Sequence, residues 1–301
     1  MGRRQIEKFA AAGRYLCCPL CGAPLHLEGT SLRCARGHGF AVAAKGYANF
    51  VPNQRPLKGY DRAFFEHRAQ VMGRGLYDHV IEAVLGCVAS ALDGSFGCKE
   101  GAAGCAAVRG DAGAQGLVVD AGCGEGSYAK RVRAVLGCPV FAFDIAKEAV
   151  QVAASGGNDV LWAAADLARI PVRDGAAGCL LNVFTPANYG EFARVLAPGG
   201  VFVKVVPGSG HLRELRHAFR DRLKSEEHSN ARVLEYFEEH CALLERVPVA
   251  RTFALDASLL ADVVRMTPVL FGVGESELAG CDVDELTVSA EVLVGRVKDA
   301  R

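Results

Sequence analysis

Five short apolar runs recur through the middle of the chain: GLVVD (116–120), VFAFD (140–144), DVLWAAA (159–165), GCLLNVF (178–184) and VFVKVV (201–206). Segments of helix length separate them. Strands alternating with helices imply a parallel sheet covered on both faces. Two later runs, CALLERVPVA (241–250) and LTVSAEVLVGRV (286–297), predict a closing antiparallel pair. Upstream, YDRAFFEHRAQVM (60–72) and LYDHVIEAVLGCVASAL (76–92) place apolar residues at helical spacing, and Gly73 and Gly75 break the first pattern from the second. Residues 15–50 have no long helical period and are rich in Cys, Gly and Pro, which suits a small lobe held by something other than a large core. Residues 93–115, mostly Gly, Ala and small polar residues, predict a mobile loop. The pattern divides the chain into a lobe (1–50), connecting helices and loop (51–115) and an α/β domain (116–301).

Composition narrows this picture. No apolar run approaches the ~18 residues needed to cross a bilayer, and the basic N-terminus lacks the apolar stretch of a signal peptide. A cytoplasmic protein with no membrane partner is expected. Twelve cysteines in that compartment are thiols or metal ligands rather than disulfides. The 34 basic and 34 acidic residues cancel overall, but residues 1–75 hold twelve Lys or Arg against four Asp or Glu. That basic head on an acidic body reads either as a nucleic-acid-binding module or as a solvated face.

The stretch CCPLC (17–21) carries the first candidate chemistry. Pairing Cys18 with Cys21 gives C-x2-C; Cys34 and His38 follow as a second, C-x3-H pair. A tetrahedral zinc ion takes four such ligands, two from each tight pair. The intervening GAPLHLEGTSLR is long enough for one hairpin, with Glu28-Gly29 as its expected turn. Cys17 is the spare, because its use would give an x3 spacing less common for a knuckle. A redox pair would need a strand before it and a helix after it, which these flanks do not supply.

The second candidate is LVVDAGCGEGSYAKRV, in which Asp120 ends an apolar strand and Gly122, Gly124 and Gly126 lead into a helix. The glycines let backbone pass close to a ligand, and Asp120 can accept a hydrogen bond from an amino group. Asp144 ends the next strand, where a carboxylate can receive two ribose hydroxyls. Asp166, after the third strand, is placed to face an adenine amino group. With no Lys or Arg facing the turn for phosphate, an adenosyl amino acid fits better than a phosphorylated nucleotide.

Together, VVDAGCGEGSY, FAFD, ARVLAPGGVFV and the antiparallel tail resemble class I S-adenosylmethionine-dependent methyltransferases. The knuckle followed by HGFAVAAKGYANFVP, HRAQVMGRGLYDHV, VFTPAN, VPGSGHLREL and MTP resembles more narrowly the RlmA-type large-subunit (23S) rRNA guanine-N1 methyltransferases. That family includes macrolide-resistance members. The resemblance runs from about residue 17 to the C-terminus, interrupted at 93–115. It implies a Rossmann-like domain with a mostly parallel seven-stranded sheet, a zinc-binding lobe that engages an rRNA hairpin, and S-adenosylmethionine and Zn2+ as cofactors. It carries cofactor contacts to Tyr77, Gly124, Glu125 and His211, and zinc ligation to Cys18, Cys21, Cys34 and His38. The substrate it implies is a 23S rRNA hairpin or ribosomal precursor, and a homodimer is a family-level expectation. The joining stretch Asn53 to Tyr60 is shorter than in enterobacterial-type members, and Thr185 stands where Ala is more typical.

On this reading a methyl group passes to N1 of a specific guanine in a hairpin loop. The acceptor base would lie at NVFTPAN, oriented by Asn182 and the Phe184–Pro186 backbone, although Phe184 reads equally as core. Arg33, Arg36, Lys45, Arg55, Lys58 and Arg62 are candidates for phosphate contacts, which position RNA without reading it. Tyr47 is a candidate for stacking on a loop base, or for packing the lobe. RELRHAFRDRLK (213–224) predicts a basic helix extending that surface, or an exposed amphipathic face. Two rivals share the donor site: a small-molecule methyltransferase, and an RNA-binding zinc module on a degenerate scaffold. The zinc lobe and its charge oppose the first; intact Asp120, Gly122, Gly124 and Asp144 oppose the second.

Overall fold

The computed structural model describes residues 2–96, 116–223 and 230–298. The lobe contains helix α1 (Gly2–Glu7) and strands β1 (Leu25–Glu28), β2 (Ser31–Cys34) and β3 (Gly39–Ala41), followed by β4 (Tyr47–Asn49). Helices α2 (Arg62–Gly73) and α3 (Asp78–Asp93) then lead to β5 (Val118–Ala121), α4 (Ser127–Leu136), β6 (Val140–Asp144), α5 (Lys147–Ala153) and β7 (Leu161–Ala164). The chain continues through β8 (Ala177–Val183), α6 (Tyr189–Val195), β9 (Leu196–Pro207), α7 (Arg213–Ala218), α8 (Ala231–His240) and β10 (Cys241–Ala254). It closes with α9 (Ala257–Arg265), α10 (Glu275–Ala279) and β11 (Glu285–Val297). Each apolar run of the sequence is a strand. Of the segment expected to be a mobile loop, residues 97–115 lie outside the described residues; before them α3 reaches Asp93 and stops at Gly94, whose φ of 80° gives a left-handed cap.

The main sheet has eight strands in the order β10-β11-β9-β8-β5-β6-β7-β4, not seven. The extra strand is β4, which leaves the lobe and pairs in parallel with β7, Tyr47 opposite Trp162. Sequence reading missed it because three residues carry no legible period. The six strands from β4 to β9 run parallel; β11 is antiparallel to β9 and to β10.

One face of this sheet is covered by α2, α3, α4, α5 and α9. The other face packs Leu117, Val119, Phe141 and Phe143 against Phe9, Leu16, Leu32 and Phe40 of the lobe, with Phe192 and Phe237 extending the same cluster. The lobe therefore shares one core with the sheet rather than standing as a separate module. Backbone bonds fasten it there: Cys17 N–H to the Pro171 carbonyl at 3.1 Å and Arg173 N–H to the Tyr15 carbonyl at 2.8 Å. Lys8 Nζ, its pKa lowered to about 8 by burial, caps the Val160 carbonyl at 2.7 Å. Among the described residues no single helix is long and apolar enough to cross a membrane, and the α2–α3 pair, bent by 83°, spends its apolar side on this core.

Candidate active site and metal centre

The lobe's hairpin turns at Gly29-Thr30, one residue later than expected, since Glu28 pairs with Ser31 and Gly29 takes φ 61°. The hairpin brings Cys34 back beside Cys18. Gly22 and Gly37 close the two knuckles with N–H bonds to the carbonyls of Cys18 (2.8 Å) and Cys34 (3.0 Å). Both sit at positive φ with open space where a Cβ would stand, so it is backbone conformation and not crowding that requires glycine.

The ligand atoms of Cys18, Cys21, Cys34 and His38 lie within 4.8 Å of one another. His38 Nδ1 is 3.5 Å from both the Cys18 and Cys34 sulfurs, and the Cys21 and Cys34 sulfurs are 3.8 Å apart. A regular tetrahedron with Zn–S bonds of ~2.3 Å has edges of roughly 3.8 Å, so the four atoms are spaced as zinc would hold them. Cys17 is buried outside the cluster, its thiol pushed up by burial, and His26 is exposed.

A cavity of about 650 Å³ opens beyond the carboxyl ends of the parallel strands, the place where α/β sheets take ligands. The glycine turn forms its floor. Gly122 and Cys123 N–H groups both reach the Phe143 carbonyl at 2.9 Å, tying the turn to β6. A Cβ on Gly122 would lie 2.7 Å from the Thr185 side chain, and one on Gly126 2.4 Å from Trp162. Asp144 Oδ2 accepts from Gly124 N–H at 3.0 Å and Oδ1 from Ala146 N–H at 2.9 Å. Asp120 differs: it is 1 % exposed and neither oxygen has a hydrogen-bond partner. Burial, aided by the charges of Glu125 and Asp144, pushes its carboxyl up to about 7. An orphaned buried carboxylate is costly unless a donor arrives to satisfy it. A ligand ammonium does so, which is the fit expected of an amino acid's α-amino group. Asp120, Asp144 and the glycines thus fit S-adenosylmethionine.

Tyr77 and His211 line this cavity with Gly122 and Gly124. His211 Nδ1 accepts from Ser289 N–H at 3.3 Å, leaving Nε2 to carry the proton in the neutral ring. Glu125 lies beneath the turn, 1 % exposed, and receives the Arg68 guanidinium at 2.5 Å. Asp166 is not in the lining; its carboxylate accepts from Ala168 N–H, and the neighbouring Leu167 takes the place expected for it.

On the acceptor side, Phe184, Thr185 and Pro186 face the cavity. Phe184 stacks on His211 with centroids 5.7 Å apart. Phe184 (φ 52°) and Leu212 (φ 54°) are the two non-glycine residues with positive φ among the described residues, and both line this cavity. Strain of this kind collects at functional sites. Asn182 does not reach the cavity: it is fully buried, its Nδ2 donating to the carbonyls of Pro186 (2.9 Å) and Ala121 (3.3 Å). It bears on an acceptor only through the turn it holds.

Arg33, Arg36, Lys45, Arg55, Lys58 and Arg62 are all exposed, with Arg33 near Glu28 and Arg62 paired to Glu66. Of the two readings of Tyr47 the stacking one is corrected: at 5 % exposed and within β4 it packs the lobe and cannot stack on an RNA base. Residues 213–223 of the basic segment hold a short helix (Arg213–Ala218) and a 3-10 turn (Arg220–Arg222) instead of one helix, and residue 224 lies outside the described residues. Sequence reading missed Arg68, Tyr128 and the apolar wall of Tyr60, Phe64, Met266 and Leu270. A signal for Arg68 existed. It falls three and four residues from Phe65, Phe64, Val71 and Met72, so one charge sits on the buried stripe of α2.

Fold and site together define a class I S-adenosylmethionine-dependent methyltransferase carrying a zinc ribbon. Residues 16–56 match the family described as the RlmA N-terminal zinc ribbon, and residues 118–200 match a methyltransferase domain. The 23S rRNA (guanine(748)-N(1))-methyltransferase of Streptomyces fradiae is 34 % identical over 88 % of this chain and 89 % of its own length. A Bacillus subtilis (strain 168) protein provisionally named 23S rRNA (guanine-N(1)-)-methyltransferase YxjB is 29 % identical over 92 % of this chain and 95 % of its own. The chain belongs to the 23S rRNA (guanine-N1) methyltransferase family.

Proposed function

We propose that this protein transfers the methyl group of S-adenosylmethionine to N1 of one guanine in a hairpin loop of 23S rRNA. The observation that carries the reading is a single cavity in which the orphaned Asp120 carboxylate and the strained Phe184 turn share a wall. When bound, S-adenosylmethionine supplies an electrophilic methyl group on a sulfonium. The chain's own residues bind, orient and align. Asp120 receives the ammonium, and Arg68, neutralised on one side by Glu125, offers its remaining N–H groups to a carboxylate. Asp144 takes ribose hydroxyls, and Tyr77 and His211 close the cavity around the ligand.

An acceptor guanine turned out of its loop lies against Phe184 and Pro186. The cavity's two carboxylates sit at the donor end, so acceleration comes from in-line alignment: the S–CH3 bond breaks as the N1–CH3 bond forms, the thioether product leaves with the sulfur's electron pair, and the N1 proton passes to water. Exposed Arg33, Arg36 and Lys45 of the lobe, with Arg55, Lys58 and Arg62 of the segment that follows it, draw the phosphate backbone to this end of the molecule. The working partner is the hairpin, free or in a ribosomal precursor, met in the cytoplasm by a homodimer. Primer-extension mapping of rRNA from cells with and without the gene tests the reading, since N1 methylation blocks pairing: one gene-dependent stop at a guanine is expected. Methylation of small metabolites with no rRNA stop overturns it.

A further inference from the structure

One buried cation has no place in the chemistry above. Lys204, on β9, is 4 % exposed and lies between Asn182 of β8 and Leu293 of β11 in the sheet register. Its Nζ donates to Asn182 Oδ1 at 2.6 Å and to the Thr185 carbonyl at 3.2 Å. Both partners are neutral, and none of the described ion pairs includes it. A lysine taken out of water for two neutral acceptors is an expensive way to fill a sheet, which an aliphatic residue would do better. What the arrangement does accomplish is geometric. Lys204 and Asn182 together hold the carbonyls of Thr185, Pro186 and Ala121. Ala121 belongs to the strand that presents Asp120; Thr185 packs on Gly122 and Pro186 lines the acceptor side. Phe184, at φ 52°, lies within the span so clamped, and a strained residue persists only where its surroundings over-determine it.

We propose that Lys204 is a positioning residue for the methyl acceptor: through Asn182 and the Thr185 carbonyl it fixes the Phe184–Pro186 turn against the glycine turn. The inference rests on the guanine-N1 reading above. It touches neither reactant. Its own bonds reach Asn182 and the Thr185 carbonyl and not Asp120 or Asp144, so its loss is expected to move the acceptor wall more than the donor's contacts.

The experiment compares the zinc-loaded full-length protein with Lys204→Met, Asn182→Ala and the double variant. Three quantities are measured: the Kd for S-adenosylmethionine by calorimetry, kcat and KM on a 23S rRNA fragment, and Tm. Lys204→Met is expected to lower kcat by roughly 10–100-fold, the cost of a misplacement on the order of 1 Å, with the donor Kd within about 2-fold of wild type. The double variant is expected to be no slower than the slower single, because both residues act through one turn. If Lys204→Met does not fold, Lys204→Gln keeps neutral N–H donors on a shorter side chain, and the same split between kcat and donor Kd is required of it. Unchanged kcat with a lowered Tm makes Lys204 merely structural and overturns the proposal. So does a donor Kd that weakens in step with the rate, or a double variant whose losses multiply. Wild-type protein that modifies no guanine N1 defeats the function reading; active wild type matched by Lys204→Met defeats this inference alone.

Discussion

The metal centre and the donor cavity are assembled in opposite ways. The centre draws all its ligands from the chain between Cys18 and His38, so spacing and one hairpin suffice to bring them together. The cavity collects Tyr60, Arg68, Asp120, Asp144, Phe184, His211 and Met266 from the carboxyl end of the sheet and the elements around it. A local site is cheap in loop closure and depends on its ion; a distributed site depends on the whole core and can hold strain. The lobe nevertheless covers one face of that core, so loss of the first site is expected to take the second with it.

The largest effect tests that coupling. Zinc removal by a chelator, or Cys34→Ser, is expected to unfold lobe and sheet in a single transition, because Val119, Phe141 and Phe143 lose their cover. Structural zinc contributes ~10–16 kcal/mol in isolated fingers, an upper scale here. Scanning calorimetry that shows a second transition at the original Tm would make the lobe an independent unit. Next, Arg68→Met strands the Glu125 carboxylate, and denaturant unfolding is expected to show a loss of about 3–5 kcal/mol. A loss below 1 kcal/mol would mean that the pair does not organise the cavity.

Asp120→Asn comes third, expected to weaken S-adenosylmethionine binding about 10–100-fold, or ~1.4–2.7 kcal/mol. A pH dependence accompanies it. The folded carboxyl is raised to about 7 from an ordinary value near 3.8, so the ligand-free protein holds a proton there that the unfolded chain has released. Asp120's contribution to stability is present at low pH and is lost as pH rises through about 7. Donor binding needs the ionised carboxylate and the ligand's ammonium, so affinity is expected to rise from pH 6 to about pH 7.5 in wild type and to lack that rise in Asp120→Asn. Calorimetry at three pH values reads both. The smallest effect on the metal separates neighbours: Cys17→Ser is expected to keep one zinc per chain, whereas Cys18→Ser loses the metal.

Much of this molecule was legible in its sequence because the signals were local. Alternating strand and helix texture marked every parallel strand from β5 to β9, and the pairs Cys18–Cys21 and Cys34–His38 marked the ligands. What stayed hidden depended on contacts between distant segments. Tyr47 read either as an aromatic stacking on RNA or as packing of the lobe, and its pairing with Trp162 decides for packing. Asn182 looked like a reactant-facing amide, and only Lys204 and Pro186 show it to be occupied. Asp166 looked like a base contact from its place after β7, yet its carboxylate turns back to its own loop.

The β4–β7 pairing also constrains how the protein is made. During synthesis Tyr47–Asn49 emerges long before Leu161–Ala164, its one neighbour in the main sheet among the described residues. Pairing so distant in sequence is slow to form, and chains fold from the N-terminal end as they are produced. Over that interval the nascent lobe presents Phe9, Leu16 and Phe40 with no sheet to lie on, and its metal is what keeps it in shape. The metal centre, whose ligands are complete once His38 has emerged, is the part of the lobe that can close without the sheet.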